Sequence, residues 1–319
     1  MLAMAVEHVP VLVEEAVDLL NVRPGGVYLD CTVGMGGHAQ AILERLRGQG
    51  RLIALDRDCE SLEMARERLA EYRYLASFHH ENFKNLPLIL RRLQIDAVDG
   101  CLVDLGVSRY QLTSPERGFS LREHGLLDMR MDRQQRITAE ELVNRLSVEE
   151  LTEVFRRWGE ERQAAAIARA IVENRKLGRI RTTDELAALV ARVKGFGAGS
   201  RIHPATQVFQ ALRIAVNQEL EGLDRFLSNA IGFLRPAGRL GVISFHSLED
   251  RIVKRTFQLE SGRCICFRPL ALCRCPRVAR VRLVTRKPVI PGPAEMDRNP
   301  SARSAKLRVV ERLEAAREV

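Results

Sequence analysis

The apolar positions of this chain follow two periods in alternation. Val27-Tyr28-Leu29, Leu52-Ile53-Ala54-Leu55, and residues 76–80, 97–105 and 239–245 are short runs of strand type. Between them lie stretches whose apolar residues fall at helical spacing. These are 14–20, stopped near Pro24-Gly25-Gly26, then Ala39-Gln40-Ala41-Ile42-Leu43, 60–72 with Leu62, Ala65 and Leu69 inward, and 207–234. Such alternation predicts an α/β fold around a parallel sheet. Residues 281–285 and 305–310 read as a closing pair of hairpin type.

One long stretch breaks the alternation. From Gln111 the sequence turns mixed in charge, with Arg117-Gly118-Phe119-Ser120 and Leu127-Asp128-Met129-Arg130-Met131-Asp132 reading as ordered loops. Residues 138–194 then carry only the helical period. Thr138 with Glu141, Ser147 with Glu150, and Thr182 with Glu185 have capping-box spacing, so three helix starts are predicted. Leu151, Val154, Phe155 and Trp158 mark one buried face and 164–172 another, and Gly195-Phe196-Gly197-Ala198-Gly199 ends the run. A helical block inside an α/β pattern is most simply an inserted domain. The expected division is 1–112 and 206–319 for the sheet domain, with 113–205 as the insert.

Composition bounds the setting. No apolar run approaches the roughly 20 residues of a membrane span, and no basic-then-apolar signal opens the chain, so a cytoplasmic protein without a membrane partner is expected. Seven cysteines without a secretion signal fit reduced thiols. The formal charge of +9 comes from a basic set in which only six of 50 residues are lysine. Arginine suits bidentate phosphate contacts, so a polyanionic partner and a merely arginine-biased surface both fit.

The chemistry gathers at strand ends. Val33-Gly34-Met35-Gly36-Gly37-His38 joins the first strand to a helix, the turn that brings bare backbone to a ligand, and Asp30 stands just before it. Asp56 ends the next strand, where an acid can accept both hydroxyls of a ribose. Gly34-x-Gly36-x-x-Ala39 satisfies the loose dinucleotide fingerprint, so a nicotinamide-dependent dehydrogenase competes with an enzyme using S-adenosylmethionine. Phe83 follows the third strand and either stacks on a base or packs in the core. Asp104-Leu105-Gly106 ends the fourth, where amino-methyltransferases set an acceptor for the N–H groups of an exocyclic amine. Asp104 is therefore a candidate for that role or for a cofactor contact. His246, Glu249 and Asp250 follow the strand at 239–245. Arg303 and the hydroxyls of 299–304 suit phosphate. Cys264, Cys266, Cys273 and Cys275 would serve zinc or a redox cluster, but C-x-C departs from the usual knuckle spacing and assigns no metal by itself.

Taken together these motifs closely resemble one family, the RsmH (MraW) methyltransferases. The resemblance runs from His8-Val9-Pro10-Val11 through Gly36-Gly37-His38, Asp56-Arg57-Asp58, Asp104-Leu105-Gly106-Val107-Ser108, Arg117-Gly118-Phe119 and 127–132. It continues through Phe209-Gln210-Ala211-Leu212-Arg213-Ile214, 245–254 and 299–308. It implies a Rossmann-like, class I S-adenosylmethionine-dependent methyltransferase of seven strands with an inserted all-helical domain that helps recognise RNA. The implied activity is methylation of N4 of a cytidine in the decoding region of 16S rRNA within the small ribosomal subunit. Implied cofactor contacts are Gly36, Gly37, His38, Asp56, Phe83, Asp104 and Gln111. Asp104, with His246, Glu249 or Asp250, would polarise the amine or accept its proton. Met35, Arg109-Tyr110 and Thr113 depart from the residues usual in the family. An RNA-binding assembly factor without turnover is the non-enzymatic alternative. A homodimer is the candidate assembly.

Overall fold

A computed structural model describes residues 10–121, 124–195, 203–266, 273, 275 and 278–318. His8 and Val9 of the opening motif and 196–199 of the glycine-rich break lie outside them. In chain order the elements begin α1 (Val13–Leu20), β1 (Val27–Asp30), α2 (Gly37–Leu46), β2 (Arg51–Asp56), α3 (Cys59–Arg68), β3 (Ala76–His80), α4 (Leu86–Arg92) and β4 (Val98–Asp104). Six helices follow: α5 (Arg109–Thr113), α6 (Ala139–Arg145), α7 (Val148–Gly159), α8 (Ala164–Asn174), α9 (Thr183–Lys194) and α10 (Thr206–Asn217). The chain then returns through α11 (Leu223–Phe233), β5 (Leu234–Ser244), α12 (Ser247–Glu260), β6 (Val278–Leu283), α13 (Pro293–Arg298) and β7 (Lys306–Glu318).

Two compact units result, Met1–Gly106 with Gly222–Val319, and Val107–Glu221. The first is a seven-stranded sheet of order β3-β2-β1-β4-β5-β7-β6. The pairs from β3 to β5 are parallel, and β7 is antiparallel to both β5 and β6. This is a Rossmann-like α/β fold with a helical insertion, as the alternation predicts. Parallel strands are covered on both faces, which is why they read as unbroken apolar runs. Tyr28, Leu52, Ala54, Leu102 and Ile243 join the cluster formed with α1, α2 and α3. Their sequence neighbours Leu29, Ile53, Leu55, Cys101 and Val242 are equally buried, and strand alternation points them to the other face. The antiparallel register is pinned by Glu311 on β7. Its carboxylate accepts from Arg239 Nε of β5 at 2.9 Å and Arg282 Nε of β6 at 2.7 Å. Burial pushes Glu311 up, but the two guanidiniums outweigh it and hold the group below the usual carboxylate range.

The second unit has its own core, in which Leu151, Phe155, Ile167, Ile171, Leu186, Val208 and Leu212 are buried together. The three capping signals mark true helix starts. Thr138 accepts from Glu141 N–H, and Ser147 with Glu150 and Thr182 with Glu185 form reciprocal boxes at α7 and α9. The loop before them is ordered by Arg117, which is 1% exposed and donates through Nη2 to the carbonyls of Arg130 and Met131 at 3.0 and 2.9 Å.

The expected continuous helix over 207–234 is two helices. Gln218 takes a left-handed conformation (φ 50°) that caps α10, and Gly222 (φ 68°) opens α11. The unit boundary falls in that break, so α10 packs on α7 within the helical unit rather than returning to the sheet.

Candidate active site

In the sheet unit β1 leads away to β2 on one side, while β4 leads on to β5 on the other. The switch in strand order lies between β1 and β4, and ligands of such sheets bind at the carboxyl ends there. Asp30 and Asp104 are the last residues of these two strands, and Asp56 is the last of β2.

The turn after β1 is knit to its neighbours by main-chain and hydroxyl bonds. Cys31 N–H donates to Leu102 O, Thr32 N–H to Asp30 Oδ1 at 3.2 Å, and Asp104 N–H to Thr32 Oγ1 at 2.7 Å. Gly34 N–H donates to Asp56 Oδ2 at 2.7 Å and Asp58 N–H to Asp56 Oδ1 at 2.8 Å, while Gly36 N–H donates to Val33 O. Gly36 has φ 85°, and a Cβ on it would press on Leu69 and Ala65 of the α3 region. A Cβ on Gly37 would collide with Pro10. Protein packing therefore demands both glycines. Gly37→Ala is expected to push away the 10–11 segment and to destabilise the fold by about 1–3 kcal/mol. Thermal unfolding checks this, and an unchanged melting temperature would contradict the packing argument.

His38 opens α2 almost fully buried. Its Nε2 lies 3.0 Å from Val11 O, and since a carbonyl only accepts, Nε2 carries the proton of the neutral ring. Nδ1 then faces Asp104 Oδ2 across 3.7 Å. Asp104 Oδ1 and Asp30 Oδ2 are buried with no hydrogen-bond partner among the described residues. Burial raises Asp104 well above the usual range, and the charges of Asp30 and Glu249 raise it further. Burial likewise pushes Asp30 up to about 7 against the Thr32 N–H bond, and Asp56 up to about 6 against the Asp58 and Gly34 N–H bonds.

Glu249 and His246 cap α12. Glu249 Oε2 accepts from the N–H groups of Phe245 and His246 at 2.9 and 3.3 Å, and Glu249 N–H donates to His246 Nδ1 at 3.4 Å. His246 Nε2 stands 3.1 Å from Glu249 Oε1 without hydrogen-bond alignment. Both groups thus hold the helix start, and Glu249 adds negative charge at Asp104. Asp250 is placed differently. Arg308 Nε and Lys306 Nζ on β7 meet it at 2.7 and 3.3 Å and, against the upward push of burial, hold it below the usual range. A carboxylate so neutralised is a poor base.

Of the other expected contacts, Phe83 packs on Phe226 with ring centroids 4.5 Å apart, which commits one side of its ring to the core. Gln111 is buried in the helical unit, where it forms the capping box of α5 with Ser108. Thr32 is a positioning residue that the motifs did not single out. Its signal was only its place between Asp30 and the glycines.

Two N–H groups of the glycine turn are used inside the protein, one of them on Asp56, and are not offered to the pyrophosphate of a dinucleotide. The nicotinamide reading is not supported.

Comparison with known proteins agrees. The profile of the MraW methylase family matches residues 5–313. The ribosomal RNA small subunit methyltransferase H of Halothermothrix orenii is 46% identical over 314 residues, covering 96% of this chain and 99% of the relative. That of Nitratidesulfovibrio vulgaris is 50% identical over 309 residues, covering 96% and 86%, and that of Symbiobacterium thermophilum 47% over 316 residues, covering 99% of each.

Proposed function

Because the chain belongs to the MraW methylase family, we propose that it transfers the methyl group of S-adenosylmethionine to N4 of a cytidine in the decoding region of 16S rRNA. The substrate would be the small ribosomal subunit, and a cytoplasmic site of action goes with it. The observation that carries this reading is the group of carboxylates Asp30, Asp56, Asp104 and Glu249, the first and last buried and the other two half-buried, in which one buried oxygen of Asp30 and one of Asp104 have no hydrogen-bond partner among the described residues. Unpaired acceptors buried together are costly unless a ligand supplies positive charge or donors.

S-adenosylmethionine fits that need, with a sulfonium, an ammonium and ribose hydroxyls but no phosphate. When bound it supplies a methyl group already activated by its positive sulfur. Asp56 and the glycine turn would hold it, and Asp30 would face its positive charge. The lone pair of an exocyclic amine is delocalised into the pyrimidine ring. An ionised Asp104 accepting an amine N–H draws that pair back onto nitrogen and then takes the proton. From Asp104 Oδ2 the proton has His38 Nδ1 as its next base, 3.7 Å away. Glu249 keeps the edge negative while fixing the start of α12. Arg303, Ser304 and Lys306 line a cleft with His246 and Ser247, a suitable seat for the backbone of an RNA whose target base is splayed out.

The test is methyl incorporation from labelled cofactor into small subunits taken from cells lacking this protein, followed by nucleoside analysis. N4-methylated cytidine is expected. Cofactor binding without transfer at any stage of subunit assembly would overturn the reading.

A further inference from the structure

We propose that Cys264, Cys266, Cys273 and Cys275 form a closed tetrathiolate site for one zinc ion. The four sulfurs lie within 4.8 Å of one another. Cys264 Sγ is 3.3, 3.4 and 3.8 Å from those of Cys266, Cys273 and Cys275, and Cys266 Sγ is 3.4 Å from Cys273 Sγ. Zinc held tetrahedrally at about 2.3 Å per sulfur sets the sulfurs about 3.8 Å apart. One cysteine close to all three others is the vertex of a tetrahedron. Two disulfides would instead give two short pairs, each with sulfurs about 2.0 Å apart.

Packing does not explain the cluster, since Cys264 is exposed and the other three only half-buried. A backbone donor does point at it, for Cys275 N–H meets Cys273 Sγ at 3.4 Å, the kind of bond that orients a metal-bound thiolate. In sequence the ligands are interleaved with Arg263, Arg268, Arg274 and Arg277, which suits the double negative charge of a zinc tetrathiolate.

The two C-x-C pairs come from opposite arms of the connection between α12 and β6, whose roots are joined by a bridge between Ser261 and Ala279. All four positions around the metal would be filled by protein, leaving none open for substrate. The site is therefore a staple that fixes the return from α12 to the sheet edge.

The full chain, purified under reducing conditions without chelator, is expected to hold about one zinc per molecule. Exchange with cobalt should give the intense visible bands of a tetrahedral cobalt thiolate. Four thiols should resist alkylation until the metal is stripped, while Cys31, Cys59 and Cys101 behave alike in both states. The pair of changes Cys266→Ser and Cys273→Ser should lower zinc retention more than about tenfold. The wild-type metal content tests the site even if that variant folds poorly. Zinc far below one per chain after reconstitution, stoichiometric iron, or a mass showing two disulfides in the purified protein would each overturn the proposal.

Discussion

Asp104→Asn is expected to lower the rate of methyl transfer in a single turnover by roughly 10³-fold, within the range of losing a general base, while cofactor affinity changes by less than about tenfold. The substitution keeps the shape and one acceptor oxygen but removes the charge proposed to draw the amine lone pair onto nitrogen and the site proposed to take its proton. Asp30, Asp56 and Glu249 remain to attract the cation, so binding should survive. Asp104 lies well above its ordinary pKa in the free protein, through burial and then the charges of Asp30 and Glu249. The wild-type rate should accordingly rise with pH as this group ionises, and the variant should lose that rise. Rapid-quench kinetics with equilibrium binding separates the outcomes. A fall of less than tenfold would move proton acceptance elsewhere, and a loss confined to affinity would make Asp104 a binding residue.

Asp30→Asn is expected to stabilise the free sheet unit at pH 8 by about 3–4 kcal/mol and to change it little at pH 4. Burial chiefly raises the folded pKa of Asp30 from 3.8 to about 7, and the Asp56 charge adds to it. Between those values the folded state binds the extra proton, so its stability falls as pH rises from about 4 to 7, and above 7 the whole cost is present. Three units at 1.36 kcal/mol each come to about 4 kcal/mol. Asparagine has no charge to bury. Thermal unfolding at the two pH values checks the sign, and a variant less stable than wild type at pH 8 would refute it. The same variant should bind the cofactor more weakly, because the acid that costs stability is the one we propose to face the cation.

Much of this site was legible because its parts are local. Buried parallel strands read as continuous apolar runs, and the acids that end them at Asp30, Asp56 and Asp104 stand in sequence where they stand in space. Capping pairs three residues apart gave the starts of α6, α7 and α9 for the same reason. What sequence missed depends on partners far away. Nothing near Asp250 in sequence announces its pairing with Lys306 and Arg308, nor anything near Phe83 its packing on Phe226. The break between α10 and α11 rests on a left-handed glutamine, which no helical pattern announces. Four cysteines at unfamiliar spacing carried little weight until their sulfurs were found together.

The split of the sheet unit by the helical one bears on how the chain is made. Val107–Glu221 is contiguous, so all of its core has been synthesised once its last helix emerges, and its contacts are comparatively near in sequence. The sheet has no such freedom. Leu307 and Val309 of β7 pack in the same cluster as Val17 and Ile42, nearly the full length of the chain away. Strands β1 to β4 must therefore wait through the synthesis of an entire second unit, of β5 and of β6 before β7, whose side chains complete the cluster on their face, exists. During that interval their apolar faces are the part of the nascent chain most in need of protection from premature association.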